Sequence, residues 1–172
     1  MSPPPDLQRI GRVLQRAAGR LGDQYKVTGV GMWAGSVLEE VYDLFVQMDL
    51  AAYRHLADLG SGDGRVVLVG SLFTRATGIE ADAELVQISR RAAGELGLER
   101  ADFIQDDCRQ AELDSYDLLF MYPDKPMTWL EERLPANWPG HLVIYGPYFK
   151  PETMSFIRSI YAGTTHCTLW SR

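Results

Sequence analysis

The stretch Ala57-Asp58-Leu59-Gly60-Ser61-Gly62-Asp63-Gly64-Arg65 constrains this chain more than any other. An apolar segment ends on an acid, and three glycines come at alternate positions before the next apolar segment begins. Residues without side chains let a strand turn sharply and bring its backbone against a ligand. The stretch therefore reads as the end of a strand, a tight ligand-facing loop and the start of a helix.

The rest of the chain alternates in the same way. Tyr53 to Leu59, Ala76 to Ile79, Ala101 to Ile104, Tyr116 to Tyr122, Leu142 to Tyr145 and Thr165 to Trp170 read as strands. Gly64 to Phe73, Asp82 to Leu96, Pro126 to Leu134 and Pro151 to Tyr161 read as helices between them. A parallel neighbour needs a crossover, so strands separated by helices pair in parallel. Right-handed crossovers then give an α/β, doubly wound, mostly parallel sheet, with its ligand site at the carboxyl ends of the strands.

Two helices precede this core. The first runs from Leu7 to Leu21, capped by Asp6 and ended by Gly22. The second runs from Ser36 to Leu50, with Ser36 and Glu39 forming a capping box. Between them, Asp23 to Gly35 reads as a lid-like loop whose Tyr25 and Trp33 can fold over the site. At 172 residues the length suits a single domain, with residues 1–50 as helices and lid and 53–172 as core.

Charge and cysteine content narrow the function. The net charge of −6 argues against broad nucleic-acid binding. One local exception is Arg9, Arg12, Arg16 and Arg20 at helical spacing, which reads either as the solvated face of an amphipathic helix or as a patch for an acidic partner or a phosphate backbone. Cys108 and Cys167 form no disulfide framework and show no metal-ligand spacing with His55, His141 or His166, so no metal is expected. Neither a membrane-length apolar run nor a secretory leader is visible, and the expected location is cytoplasmic.

Two further acids complete a constellation. Glu80 ends the second core strand, 20 residues after Gly60, where a carboxylate accepts hydrogen bonds from ribose hydroxyls. Asp107 closes the third, in Phe103-Ile104-Gln105-Asp106-Asp107. A dinucleotide fingerprint would need glycine at residue 65, which is Arg65, and would set Asp63 against a diphosphate. A nicotinamide-dependent oxidoreductase is accordingly the weaker alternative.

The acidic-x-Gly-x-Gly-x-Gly pattern resembles motif I of the class I, seven-strand, Rossmann-like S-adenosylmethionine-dependent methyltransferases, and the octapeptide from Asp58 to Arg65 is similar to motif I of some small protein-lysine members. Tyr116 to Pro123 resembles the family's motif IV, and Pro139-Gly140 the turn entering its fifth strand. The resemblance covers about Tyr53 to Phe149. It implies S-adenosylmethionine as cofactor and S-adenosylhomocysteine as product. Asp58 would hold the methionyl amino group, directly or through water. Gly60, Ser61 and Gly62 would pass the methionine and ribose, Glu80 would bind the ribose, and Ala81 would lie beside the adenine. Asp107 would take the adenine amine, with the Cys108 amide near the ring. Replacing Asp58 or Glu80 by alanine is expected to weaken cofactor binding and leave the fold largely intact.

On the acceptor side, Tyr122 either orients the acceptor through its hydroxyl or walls a channel with its ring. Pro123-Asp124-Lys125-Pro126 departs from the Asp/Asn-Pro-Pro-Tyr pattern of adenine methyltransferases. The expected acceptor is a nitrogen on a protein side chain, lysine above all, or a small molecule; a non-catalytic methyltransferase-like binding or assembly protein is the alternative. One strand fits after the last helix where the family has an antiparallel pair. A shortened C-terminal end is therefore expected, with an edge through which the chain can form a homo-oligomer.

Overall fold

The computed structural model describes residues 4–18, 25–27 and 32–172. The elements are helix α1 (Pro5–Ala18), a short hairpin of β1 (Tyr25–Val27) and β2 (Met32–Ala34), helix α2 (Leu38–Gln47), then strand β3 (His55–Leu59) and helix α3 (Arg65–Gly70). Strand β4 (Arg75–Glu80), helix α4 (Ala83–Leu96) and strand β5 (Ala101–Gln105) come next. Strand β6 (Leu118–Met121), helix α5 (Thr128–Arg133), and strands β7 (His141–Tyr145), β8 (Ser155–Ala162) and β9 (Thr165–Ser171) complete the chain.

The seven strands β3 to β9 form one sheet in the order β5-β4-β3-β6-β7-β9-β8. Neighbours from β5 through β7 pair in parallel, and β9 pairs antiparallel with both β7 and β8. The order reverses between β3 and β6. At such a switch point the loops after adjacent strands diverge and leave a crevice at the carboxyl ends.

The two faces of the sheet are covered differently. On one face, Leu7, Ile10 and Leu14 of α1, Val41 and Phe45 of α2, Val66 to Val69 of α3 and Val86 of α4 pack into one core. Among the described residues, the other face is covered by the short α5 and by irregular segments carrying Ala111, Leu113, Trp138 and Met154. No helix connects β5 to β6 or β7 to β8. Among the described residues, no helix is long and apolar enough to cross a membrane.

The structure corrects the sequence reading at its C-terminal end. Residues expected as a helix from Pro151 to Tyr161 instead form β8, so the antiparallel pair is complete and the shortening lies in the missing connecting helices. The cause of the misreading is local: a register shift between Phe156 and Arg158 inserts a residue into the strand. Apolar residues then fall at 156, 157, 160 and 161, and this bulge converts a period of two into an apparent helical one.

Other corrections are smaller. The N-cap of α2 is Val37, which makes no side-chain cap bond, so the Ser36–Glu39 box does not form. Part of the expected loop between α1 and α2 is the β1–β2 hairpin. Asp82, read as the first helical residue, is instead the N-cap of α4, accepting from the amides of Glu84 at 2.9 Å and Leu85 at 3.1 Å. Of the arginine stripe, Arg9 and Arg16 both bind Glu95 of α4, so this face of α1 is partly an internal contact. Arg20, Leu21 and Gly22 lie outside the described residues, as do the side chains of Tyr25 and Trp33.

Candidate functional site

The ends of β3 and β6 flank the crevice, and β4 and β5 follow β3 in the sheet. Gly60, Gly62 and Gly64 adopt φ of +83°, +55° and +82°, the left-handed region that other residues enter with strain. The loop they form is held at several points. Both the Gly60 and Ser61 amides donate to the Ile79 carbonyl, at 2.9 and 3.1 Å. Ser89 Oγ, from α4, donates to the Gly62 carbonyl at 3.2 Å.

Glu80 contributes the closest restraint. Its Oε2 accepts the Gly62 amide at 2.9 Å and its Oε1 the Asp82 amide at 2.8 Å. The carboxylate is 5% exposed. It is a clamp between the glycine loop and the start of α4, so alanine here would remove two internal hydrogen bonds as well as any ligand contact. Each oxygen retains a second lone pair for a ligand hydroxyl.

Asp58 stands at the end of β3 and is 3% exposed. Burial raises its pKa well above the ordinary value of 3.8, and the nearby negative charges of Glu80 and Asp63 add to the effect. Asp63 is balanced: Arg65 Nε lies 2.9 Å from its Oδ1 and Arg65 Nη2 lies 2.6 Å from its Oδ2. The same guanidinium donates through Nη1 to the Ser36 carbonyl at 2.7 Å. Ser61 Oγ is buried with no hydrogen-bond partner. A cavity of about 20 Å³ is lined by Ser36, Asp58, Gly60, Ser61, Arg65, Val66, Phe120 and Tyr122.

Tyr122 follows β6, whose Met121 is paired with Leu59 of β3. Its ring meets that of Tyr145 edge-on at 5.1 Å, and a side chain on Gly146 would come within 3.2 Å of it. The hydroxyl of Tyr145 donates to Glu40 Oε2 at 2.7 Å. Glu40 also accepts from the Thr164 amide at 3.0 Å and from Thr165 Oγ1 at 2.6 Å. This carboxylate of α2 ties the β8–β9 turn to the wall beside Tyr122. No pattern in the sequence marks it, because its partners lie more than 100 residues away.

The third acid is differently placed. Asp107 lies in a turn two residues beyond β5, and Arg109 grips both its oxygens, Nε at 2.9 Å from Oδ1 and Nη2 at 2.6 Å from Oδ2. That fork lowers the pKa of Asp107. Arg133 of α5 binds the carbonyls of Arg109, Gln110 and Ala111, so the turn is pinned from the opposite side. Burial and the charges of Asp107 and Glu80 push the Cys108 thiol up to about 12. Ala81, between Glu80 and the α4 cap, is half-buried. Asp58, Glu80 and Asp107 thus mark the ends of three adjacent strands in the sheet order β3-β4-β5. Among the described residues, no group of three or more His, Cys, Asp or Glu is arranged to hold a metal ion.

Solved structures share this fold. An RNA methyltransferase from Salinibacter ruber, in complex with S-adenosyl-L-homocysteine, matches with a TM-score of 0.66 and 24% identity, over 80% of this chain and 92% of that one. A SAM-dependent methyltransferase from Aquifex aeolicus gives a TM-score of 0.60 at 16% identity, over 76% and 90%. This chain has the class I methyltransferase fold. A candidate O-methyltransferase from Klebsiella pneumoniae extends the match to 100% of this chain and 92% of its own, with a TM-score of 0.66 at 13% identity. No protein-family model and no curated protein matches the sequence. Within this fold, Asp58, Gly60, Ser61 and Tyr122 line the small cavity beside the switch point between β3 and β6, and Glu80 ends the neighbouring strand β4.

Proposed function

We propose that this chain is an S-adenosylmethionine-dependent methyltransferase whose acceptor is a nitrogen, on a protein side chain or a small molecule. The observation that carries this reading is the buried Asp58 carboxyl. Among the described residues it has no hydrogen-bond or ion-pair partner, and it borders a cavity beside an orphaned Ser61 hydroxyl. A buried acid at such a point is completed by a cationic ligand group.

The residues present fit S-adenosylmethionine. Asp58 would receive its ammonium group, Glu80 its ribose hydroxyls through the remaining lone pairs, and Asp107 its adenine amine beside the Arg109 fork. Gly60, Ser61 and Gly62 would bring backbone against the ligand, with Ala81 and Cys108 near the adenine. When bound, the cofactor supplies an activated methyl group for in-line displacement at carbon. The chain's own part is to position the acceptor and exclude water. Tyr122, fixed between the Tyr145 ring and Gly146, walls the approach. The described residues lining the cavity include no histidine and no acid but Asp58. A neutral amine brings its own lone pair and gives up its proton after transfer, whereas an alcohol needs a base. That contrast favours nitrogen over oxygen.

A second reading, a non-catalytic protein of the same fold, is favoured by the narrowness of the cavity at Asp58. Calorimetric titration with S-adenosylmethionine, S-adenosylhomocysteine and NAD, combined with transfer of a labelled methyl group to lysine-bearing peptides and free amines, separates the two. Selective binding of the adenosyl-sulfur ligands with label transfer supports the enzyme. Binding without transfer supports the second reading, and binding of NAD alone refutes both.

A further inference from the structure

The proposed cofactor carries an amino acid at one end, and the roles given to Asp58, Glu80 and Asp107 leave its carboxylate without a partner. Two opposite charges border the cavity beside the glycine loop, Asp58 and Arg65, and Arg65 is the only cation among the described residues lining it. The two charges are those an α-amino-acid zwitterion requires, its ammonium toward the acid and its carboxylate toward the guanidinium; at about 20 Å³ the cavity holds about one water, so the ligand's carboxylate has to displace a group already there.

The guanidinium is placed for recognition. Asp63, 1% exposed, holds its Nε and Nη2 edge in a two-point contact at 2.9 and 2.6 Å, which fixes the plane of the fork. Nη1 is directed at the carbonyl of Ser36, 2.7 Å away, a residue that itself lines the cavity. The backbone packs directly on this group: a side chain at Gly35 would collide with the guanidinium. A carboxylate is a stronger acceptor for a guanidinium than a neutral carbonyl.

We propose that Arg65 recognises the carboxylate of the bound ligand's amino-acid part, which takes the place of the Ser36 carbonyl on Nη1. Asp63 acts as the positioning residue. The exchange frees the carbonyl that tethers the entry to α2, so binding is communicated to the segment carrying Gly35 and Ser36. The inference rests on the proposed cofactor, and it names a selectivity: the site prefers adenosyl thioethers that retain the carboxylate.

The test is calorimetry on the full chain with S-adenosylhomocysteine, its decarboxylated analogue and 5′-methylthioadenosine. Losing a hydrogen bond to a charged partner lowers affinity by about tenfold or more. The wild type should therefore prefer S-adenosylhomocysteine to the decarboxylated analogue by at least that factor. Arg65→Gln should bring the two within about threefold of each other. A full preference retained in Arg65→Gln overturns the role of Arg65 and leaves the cofactor reading standing. Failure of all three ligands to bind the wild type overturns both.

Hydrogen exchange on the wild type gives a measurement independent of the variant's folding. Amides from Gly35 to Leu38 should change protection with S-adenosylhomocysteine and not with the decarboxylated analogue. Identical changes with both ligands refute the exchange at Ser36.

Discussion

Glu80→Ala should destabilise the protein before any ligand is added. The wild-type carboxylate is 5% exposed and accepts two amides, from Gly62 at 2.9 Å and Asp82 at 2.8 Å. Hydrogen bonds to a charged group contribute about 1.5–3 kcal/mol each, so removing both acceptors costs about 3–6 kcal/mol. An unfolding entropy of about 2.1 cal/mol/K per residue over 172 residues means that each kcal/mol moves the midpoint by roughly 2.8 °C. The ligand-free melting temperature should therefore fall by about 8–17 °C. Glu80→Gln keeps one acceptor oxygen but turns an amide NH₂ toward the other donor, and should fall between alanine and wild type. Circular dichroism melts without ligand measure this, with hydrogen exchange at Gly62 as the local readout. An alanine variant that melts within about 3 °C of wild type, its Gly62 amide still protected, would refute the clamp and confine Glu80 to ligand binding.

Asp58→Asn acts in the opposite sense. The raised folded-state pKa means the native protein holds this proton more tightly than the unfolded chain, so wild-type stability falls as pH rises from 3.8 toward the folded value. Asparagine removes that loss; the ligand-free melting temperature of the variant should gain on wild type as pH rises through this window, while affinity for S-adenosylmethionine drops by about tenfold or more. Parallel melting curves across pH would contradict it. For Glu40, burial alone would raise the pKa, but hydrogen bonds from Thr165, Tyr145 and Thr164 outweigh it and hold it below the ordinary 4.5. Its stabilisation is therefore present above that value and lost as pH falls through the folded pKa. Glu40→Gln should accelerate hydrogen exchange at Thr164, whose amide Glu40 accepts, and unchanged exchange would exclude the tie. With its thiol pushed up to about 12, Cys108 should be alkylated by iodoacetamide far more slowly than free cysteine at neutral pH. Modification at the free-thiol rate would show that the buried environment is misjudged.

Much of the site is legible in the sequence because its signals are local. Loop glycines at alternate positions, an acid before them and an acid one strand–helix–strand step later reflect backbone sterics and crossover length, both written in contiguous residues. The same holds for α4, where Asp82 as cap and Gly97 at φ +68° mark both ends. Strand β8 is not legible, since its bulge is defined by pairing with β9 and imitates a helical period in the sequence alone.

Local pattern in the chain thus sets the alternation of strands and helices, the glycine loop and the acids Asp58 and Glu80 at the ends of β3 and β4. Tertiary structure alone decides what those acids touch. Glu80 becomes a clamp as well as a candidate ligand, Asp107 meets Arg109, and Arg65 turns back onto Asp63 and reaches Ser36. Glu40 finds its partners across 105 to 125 residues of chain. Spacing along a chain sets which strand end a residue occupies. The partner of a buried charge depends on which distant groups the packed core brings within hydrogen-bonding distance, and no local pattern encodes that.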